Sequence, residues 1–148
     1  MRSPALFLLL LFALGACKHT GPTPSTPTAL LTAHPWHVVA LTTTTGGRTT
    51  DRYADIPSCS RDNRLQFYTD HRLVTDEGAS RCAATDPQQQ TGQWQWAAGE
   101  TQLTGAVPYL PYLLASTLTV RELSPSSLRL RYQETNSPDF ADLTFEAD

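Results

Sequence analysis

The chain has 148 residues, 40% of them hydrophobic, with 11 basic and 14 acidic side chains and a formal charge of −3. This length suits one domain, with enough apolar content for a core. The mildly acidic balance and the lack of any basic run exclude nucleic acid as an expected partner and argue weakly against docking on anionic lipid head groups.

The N-terminus reads in three parts: Arg2, an apolar run over residues 5–14, and Leu14-Gly15-Ala16-Cys17. The run is shorter than the roughly 20 residues of a membrane-spanning helix and fits the hydrophobic region of a secretory signal. The last four residues resemble the bacterial lipobox. That resemblance implies cleavage before Cys17, a diacylglycerol thioether on its sulfur and acylation of its new amine. Each buried CH₂ contributes roughly 0.8 kcal/mol, so several acyl chains anchor firmly. The membrane, reached through lipidated Cys17, is thus the first expected partner. Lys18, where an aspartate would retain the protein at the inner membrane, implies the outer membrane of a bacterial cell envelope. The competing readings are a secreted protein with an incidental cysteine and a retained membrane helix.

The expected organisation is a signal peptide over 1–16, a lipid-anchored Pro/Thr-rich tether over 17–28 and one β domain over 29–148. The tether has too little apolar surface to fold. Of the three cysteines, Cys17 is taken by the anchor. Cys59 and Cys82 remain as an even pair in an oxidising compartment, where a disulfide is the default. A two-thiol metal site and a reactive thiol are the alternatives, and neither has a supporting cluster.

Strand patterns dominate the domain. A short helical turn from Ala29 leads into a first strand from Trp36 to about Thr43, and Gly46-Gly47 makes a turn. A strand fragment and loop run to Cys59. A hairpin follows, with a two-residue turn at Asp70-His71, so that paired positions sum to 141; Cys59 and Cys82 obey the same sum. A second hairpin turns near Ala98-Gly99, with Trp94 and Trp96 on one face and Gln93 and Gln95 on the other. Residues 105–114 are apolar and aromatic but broken by Pro108 and Pro111, which demotes them to a loop or edge strand. A strand then runs to about Ser124, Leu128, Leu130 and Tyr132 alternate with Arg129 and Arg131, and a last strand points Leu143 and Phe145 inward. Seven to nine sequential antiparallel strands without crossover helices predict an all-β fold, a small up-and-down β-barrel, with a sandwich as the other solution.

The stretch from Trp36 to Phe145 resembles the bacterial lipocalin-like domain of envelope lipoproteins. The resemblance rests on Trp36, on Pro57, Cys59, Asp62, Asn63 and Phe67, and on Asp70 at a hairpin tip. It continues through Asp76 to Cys82, Gly92 to Trp94, and Leu123 to Tyr132. His71 departs from it, because a Gly commonly follows that Asp, and so do residues 105–114. The resemblance implies a small β-barrel that binds a lipid or small apolar ligand, by fold-level analogy.

No nucleophile, metal or phosphate motif is present. His34 and His37 flank Pro35 at the start of a strand, where two imidazoles do not converge. His19 and His71 read as solvated. Asp76 and Glu77 face opposite ways on a strand, free to pair with Arg72 or Arg81 or to shape the turn before Gly78. Asp139, Asp142, Glu146 and Asp148 read as a solvated acidic end. No catalysis, cofactor or metal is expected. The candidate ligand-binding set is apolar: Phe67, Trp94, Trp96, Tyr132 and Phe145 inside, with Tyr109, Leu110 and Tyr112 at the mouth. A self-filled core is the bland reading of the same aromatics, because an eight-stranded barrel holds either side chains or one small ligand. Two functions compete: a monomeric carrier of a small apolar molecule, or a filled barrel contacting another envelope protein through residues 109–114.

Overall fold

The computed structural model describes residues 26–106 and 117–148. It consists of one short helix, α1 (Pro27–Thr32), and nine strands: β1 (Trp36–Thr45), β2 (Arg48–Asp51), β3 (Arg64–Phe67), β4 (Arg72–Asp76), β5 (Gln89–Ala97), β6 (Gln102–Ala106), β7 (Thr117–Leu123), β8 (Ser127–Gln133) and β9 (Phe140–Ala147). Two single-turn 3₁₀ helices, Tyr53–Asp55 and Ser58–Ser60, connect β2 to β3.

The strands form one antiparallel sheet in the order β2-β1-β3-β4-β5-β6-β7-β8-β9, and β1 also pairs with β9. The meander therefore returns on itself as a near-ring. Its closing seam is long on one side, from Trp36↔Ala147 to Thr44↔Phe140. On the other side β1 meets β3 through only Trp36↔Leu65 and His37↔Arg64. The far half of β1 carries β2 instead, across a two-residue turn at Gly46-Gly47. Both glycines have positive φ, 57° and 79°, as a type I′ hairpin turn requires.

Alternation sorts the side chains. Leu73 and Thr75 of β4, Leu128 and Leu130 of β8, and Leu143 and Phe145 of β9 are buried, while their neighbours reach the outer face. Leu31, Trp36, Leu65, Phe67, Leu73, Trp94, Leu103, Leu118, Leu128, Leu130, Leu143 and Phe145 make one continuous core. Helix α1 begins two residues before the turn expected from Ala29. Thr26 caps it, its side chain accepting from the Ala29 N–H. Leu31 is fully buried, and the Leu31 carbonyl accepts from Trp36 Nε1 at 2.9 Å. Trp96 Nε1 donates to Thr28 Oγ1, and Gln66 Nε2 donates to Thr32 O. The helix thus closes one end of the ring, and its bonds satisfy two indole N–H groups that burial would otherwise orphan.

Cys59 and Cys82 are bonded, with Cα atoms 5.1 Å apart. The register behind that expectation differs, however. Phe67 pairs with Leu73 and Arg64 with Asp76, so paired positions sum one lower than predicted. The loop holds three residues, Thr69-Asp70-His71, with His71 at φ 67°. A three-residue hairpin loop places its last residue in the left-handed region. The cysteines are therefore not ladder partners; they meet because both lie in loops beyond the open end of the β3–β4 pair.

Of the acidic end expected to be solvated, Glu146 is exposed, but Asp139, Asp142 and Asp148 are partnered. Asp142 accepts two bonds from Arg131, at 2.7 and 2.8 Å, and Arg131 lies over the Phe140 ring. Asp139 accepts from the Gly46 N–H. Asp148 pairs with His37 and Arg64. Arg131 faces Asp142 across the β8–β9 hairpin, whereas the partners of Asp139 and Asp148 are brought near by closure of the sheet on β1.

Candidate functional site

Trp94 is the centre of the aromatic arrangement. Its ring meets Phe67 edge-on at 5.6 Å and Trp96 edge-on at 5.8 Å, and the tilted imidazole of His71 lies 5.4 Å away. Two bonds to the β3–β4 hairpin fix it: Trp94 Nε1 donates to Tyr68 O, and the Trp94 backbone N–H donates to His71 O. The turn that forces His71 into the left-handed region thereby also presents its imidazole to the indole.

Beside this group lies an open cleft of about 520 Å³, lined by His71, Gln93, Trp94, Gln95, Thr104 and Gly105. Its origin is local. Trp94 and Gly105 are partners across β5 and β6, and position 105 has no side chain. A Cβ there would lie 3.2 Å from Gln93 O and 3.8 Å from both Leu73 and Trp94. The glycine leaves a hollow next to the indole, while the alternating Gln93 and Gln95 and the Thr104 hydroxyl supply polar edges. Among the described residues the lining contains no carboxylate, Lys or Arg. Around the edge of Trp94, itself 2% exposed, it offers an exposed imidazole, two carboxamides and a hydroxyl, which suits a small uncharged molecule with hydrogen-bonding groups.

Of the described residues predicted to line a ligand site, only Trp94 borders this cleft. Phe67 and Phe145 are buried in the core, and Trp96 and Tyr132 pack against it from half-buried positions. Tyr109, Leu110 and Tyr112, like Cys17, lie outside the described residues. The cleft nonetheless includes Gly105, where the predicted mouth segment begins. His71 is exposed at the hairpin tip, as expected, but its contact with Trp94 was not anticipated. Gln93, Gln95, Thr104 and Gly105 were not anticipated. The available signal was the Gln-Trp-Gln alternation, which marks Trp94 as a residue flanked by outward amides; the pairing that brings Gly105 opposite is not readable along one strand.

The charged groups nearby serve the hairpins. The Arg72 guanidinium, bonded to Asp70 Oδ2 at 2.7 Å, holds the Asp70 carboxyl below the ordinary carboxylate range. Arg72 itself stacks on Tyr68. Asp76 pairs with neither Arg72 nor Arg81. It accepts from Gln89, Gln88 and the Gly78 N–H, shaping the turn before Gly78. Among the described residues no group of three or more His, Cys, Asp or Glu side chains is placed to hold a metal ion.

No known protein-family model matches this chain, and no curated protein is significantly similar to it.

Proposed function

We propose that this chain is a non-catalytic binding protein of a bacterial cell envelope, anchored through a lipidated Cys17 and built as a small lipocalin-like up-and-down barrel. It takes a small, largely apolar molecule in the cleft beside Trp94. The cleft carries this reading: its volume of about 520 Å³ lies within the roughly 300–1,000 Å³ usual for small-molecule sites. The filled core supports the same location. Twelve buried residues occupy the ring's interior, so a ligand is better accommodated at the Gly105 hollow than along the ring axis. Its apolar part packs on the exposed His71 imidazole at the edge of Trp94, and its polar edge meets Gln93, Gln95 and Thr104. The lipobox resemblance of Leu14 to Cys17 supports the anchor.

Native mass spectrometry of a Cys17→Ser chain, exported behind a cleavable signal and purified from the periplasm, tests the binding. A reproducible extra mass is expected that is lost on denaturation and lost in Gly105→Val, whose side chain fills the hollow. An apo mass under all conditions would refute the carrier reading. Incorporation of labelled palmitate into the wild-type chain but not into Cys17→Ser is the expected result for the anchor.

A further inference from the structure

Strands β5 and β6, which carry most of the cleft, hold no charged residue; they read Gln-Gln-Thr-Gly-Gln-Trp-Gln-Trp-Ala and Gln-Leu-Thr-Gly-Ala. Every other strand except β1 carries at least one Asp, Glu or Arg. The Arg72 guanidinium, on the residue opposite Gln93 across β4 and β5, is held by Asp70 and lies over the Tyr68 ring. Gln93 and Gln95 are exposed, and neither carboxamide bonds to another described residue. Alternation sets the two on one face, about 7 Å apart at two residues of strand rise. Thr104 is opposite Gln95 on β6, one strand spacing or about 5 Å away. The carboxamides both donate and accept, and Thr104 Oγ1, which donates to Gln95 O at 3.5 Å, keeps its acceptor sites.

This spread of groups discriminates between kinds of polar head on a ligand. An ionised head finds no counter-charge on these two strands to offset its lost hydration. The single oxygen of an alcohol or an ether reaches one of the three groups. Several groups that both donate and accept, set around a rigid frame, reach all three together. The hydroxyls of a pyranose meet that requirement: each donates and accepts, and the ring fixes their directions, so binding orders fewer torsions than a flexible polyol would lose.

We infer that the polar part of the molecule held in the cleft is a neutral sugar ring, so that the ligand class is a glycoside with an apolar aglycone. The inference rests on the reading of the cleft as a small-molecule site. The sugar hydroxyls bond to the Gln93 and Gln95 carboxamides and donate to Thr104 Oγ1, and the aglycone lies against the His71 imidazole at the edge of Trp94.

Calorimetric titration of the Cys17→Ser chain with hexyl β-glucoside and hexyl β-galactoside tests this, with hexanol (chain without sugar) and hexyl sulfate (chain with a charged head) as comparisons. At least one glycoside is expected to bind about tenfold more tightly than either comparison, a difference of about 1.4 kcal/mol. Gln95→Leu, a change at an exposed position, and Thr104→Val, which keeps the side-chain shape, are each expected to weaken glycoside binding by about fivefold or more and to leave hexanol binding unchanged. Gly105→Val is expected to abolish binding of both. Hexanol or hexyl sulfate binding as tightly as the glycosides, with no effect of Gln95→Leu, would overturn the inference and leave the cleft reading standing. No binding of any probe up to about 10 mM would overturn both.

Discussion

Replacing both Cys59 and Cys82 by Ser opens a loop closed across a sequence separation of 23. In the chain-entropy treatment, closing such a loop removes about 11 cal/mol/K from the unfolded ensemble, so its loss costs about 3.4 kcal/mol at 25 °C. Other bonds across the same loops survive the substitution and keep the native state from changing. Asp62 still accepts from Ala79 and Ser80. The Asn63 carboxamide, oriented with its NH₂ toward them, still donates to the Glu77 and Cys59 carbonyls, each at 3.2 Å. With a urea m-value of about 1.5 kcal/mol/M, the unfolding midpoint should fall by about 2 M, and the melting temperature by about 10–15 °C. Reducing the wild-type protein should reproduce both shifts. A midpoint change under about 0.5 M with an unchanged m-value would refute the reasoning, because the loops would then be held together equally well without the bond.

Three further outcomes follow from the packing and charge. Leu31→Ala removes the fully buried plug of α1 and should cost about 2–5 kcal/mol in urea unfolding; a neutral result would mean that α1 does not close the ring. Gly78→Ala places a Cβ 2.4 Å from the Asp62 carbonyl oxygen at φ +64°, so a loss of about 2 kcal/mol or more is expected, combining the left-handed penalty with displaced backbone. The hydrogen bond from Gln89, with smaller contributions from Gln88 and the Gly78 N–H, holds the Asp76 carboxyl below its ordinary value against the opposing effect of burial. A depressed folded value stabilises the protein above the unfolded pKa of about 4, and that stability is lost as the pH falls through the folded value. Asp76→Asn should therefore flatten the acid limb of a stability profile below about pH 4 and leave its shape above that unchanged.

Much of the fold can be read along single strands. Leu128, Leu130 and Tyr132 alternating with Arg129 and Arg131 mark one strand with one buried face, because the side-chain period of an extended chain is two. Gly46-Gly47 marks a turn because two successive positive φ values are costly for other residues. The absence of crossover helices leaves only sequential antiparallel pairing. The disulfide was legible from an even cysteine count, but the register was not: one extra loop residue shifts every pair, and Thr69 carries no sign of joining the loop.

The candidate sites are less legible, for a consistent reason. Trp94 stands out in any reading of the chain, but the hollow beside it belongs to Gly105, a residue whose contribution is a missing side chain. His71 is an exposed tip residue, as it reads in sequence, but only the hairpin loop shows that its ring lies against the indole. Asp142 and Asp148 look like a solvated acidic end until the β8–β9 pairing sets Arg131 opposite Asp142 and ring closure brings Arg64 and His37 to Asp148. Local patterns of hydrophobicity, proline, glycine and cysteine thus establish strands, turns, an even thiol pair and the lipobox resemblance, since each depends on neighbours within a few residues. The cleft and the plug depend on how strands and α1 pair and pack across the sheet, which no stretch of neighbouring residues decides.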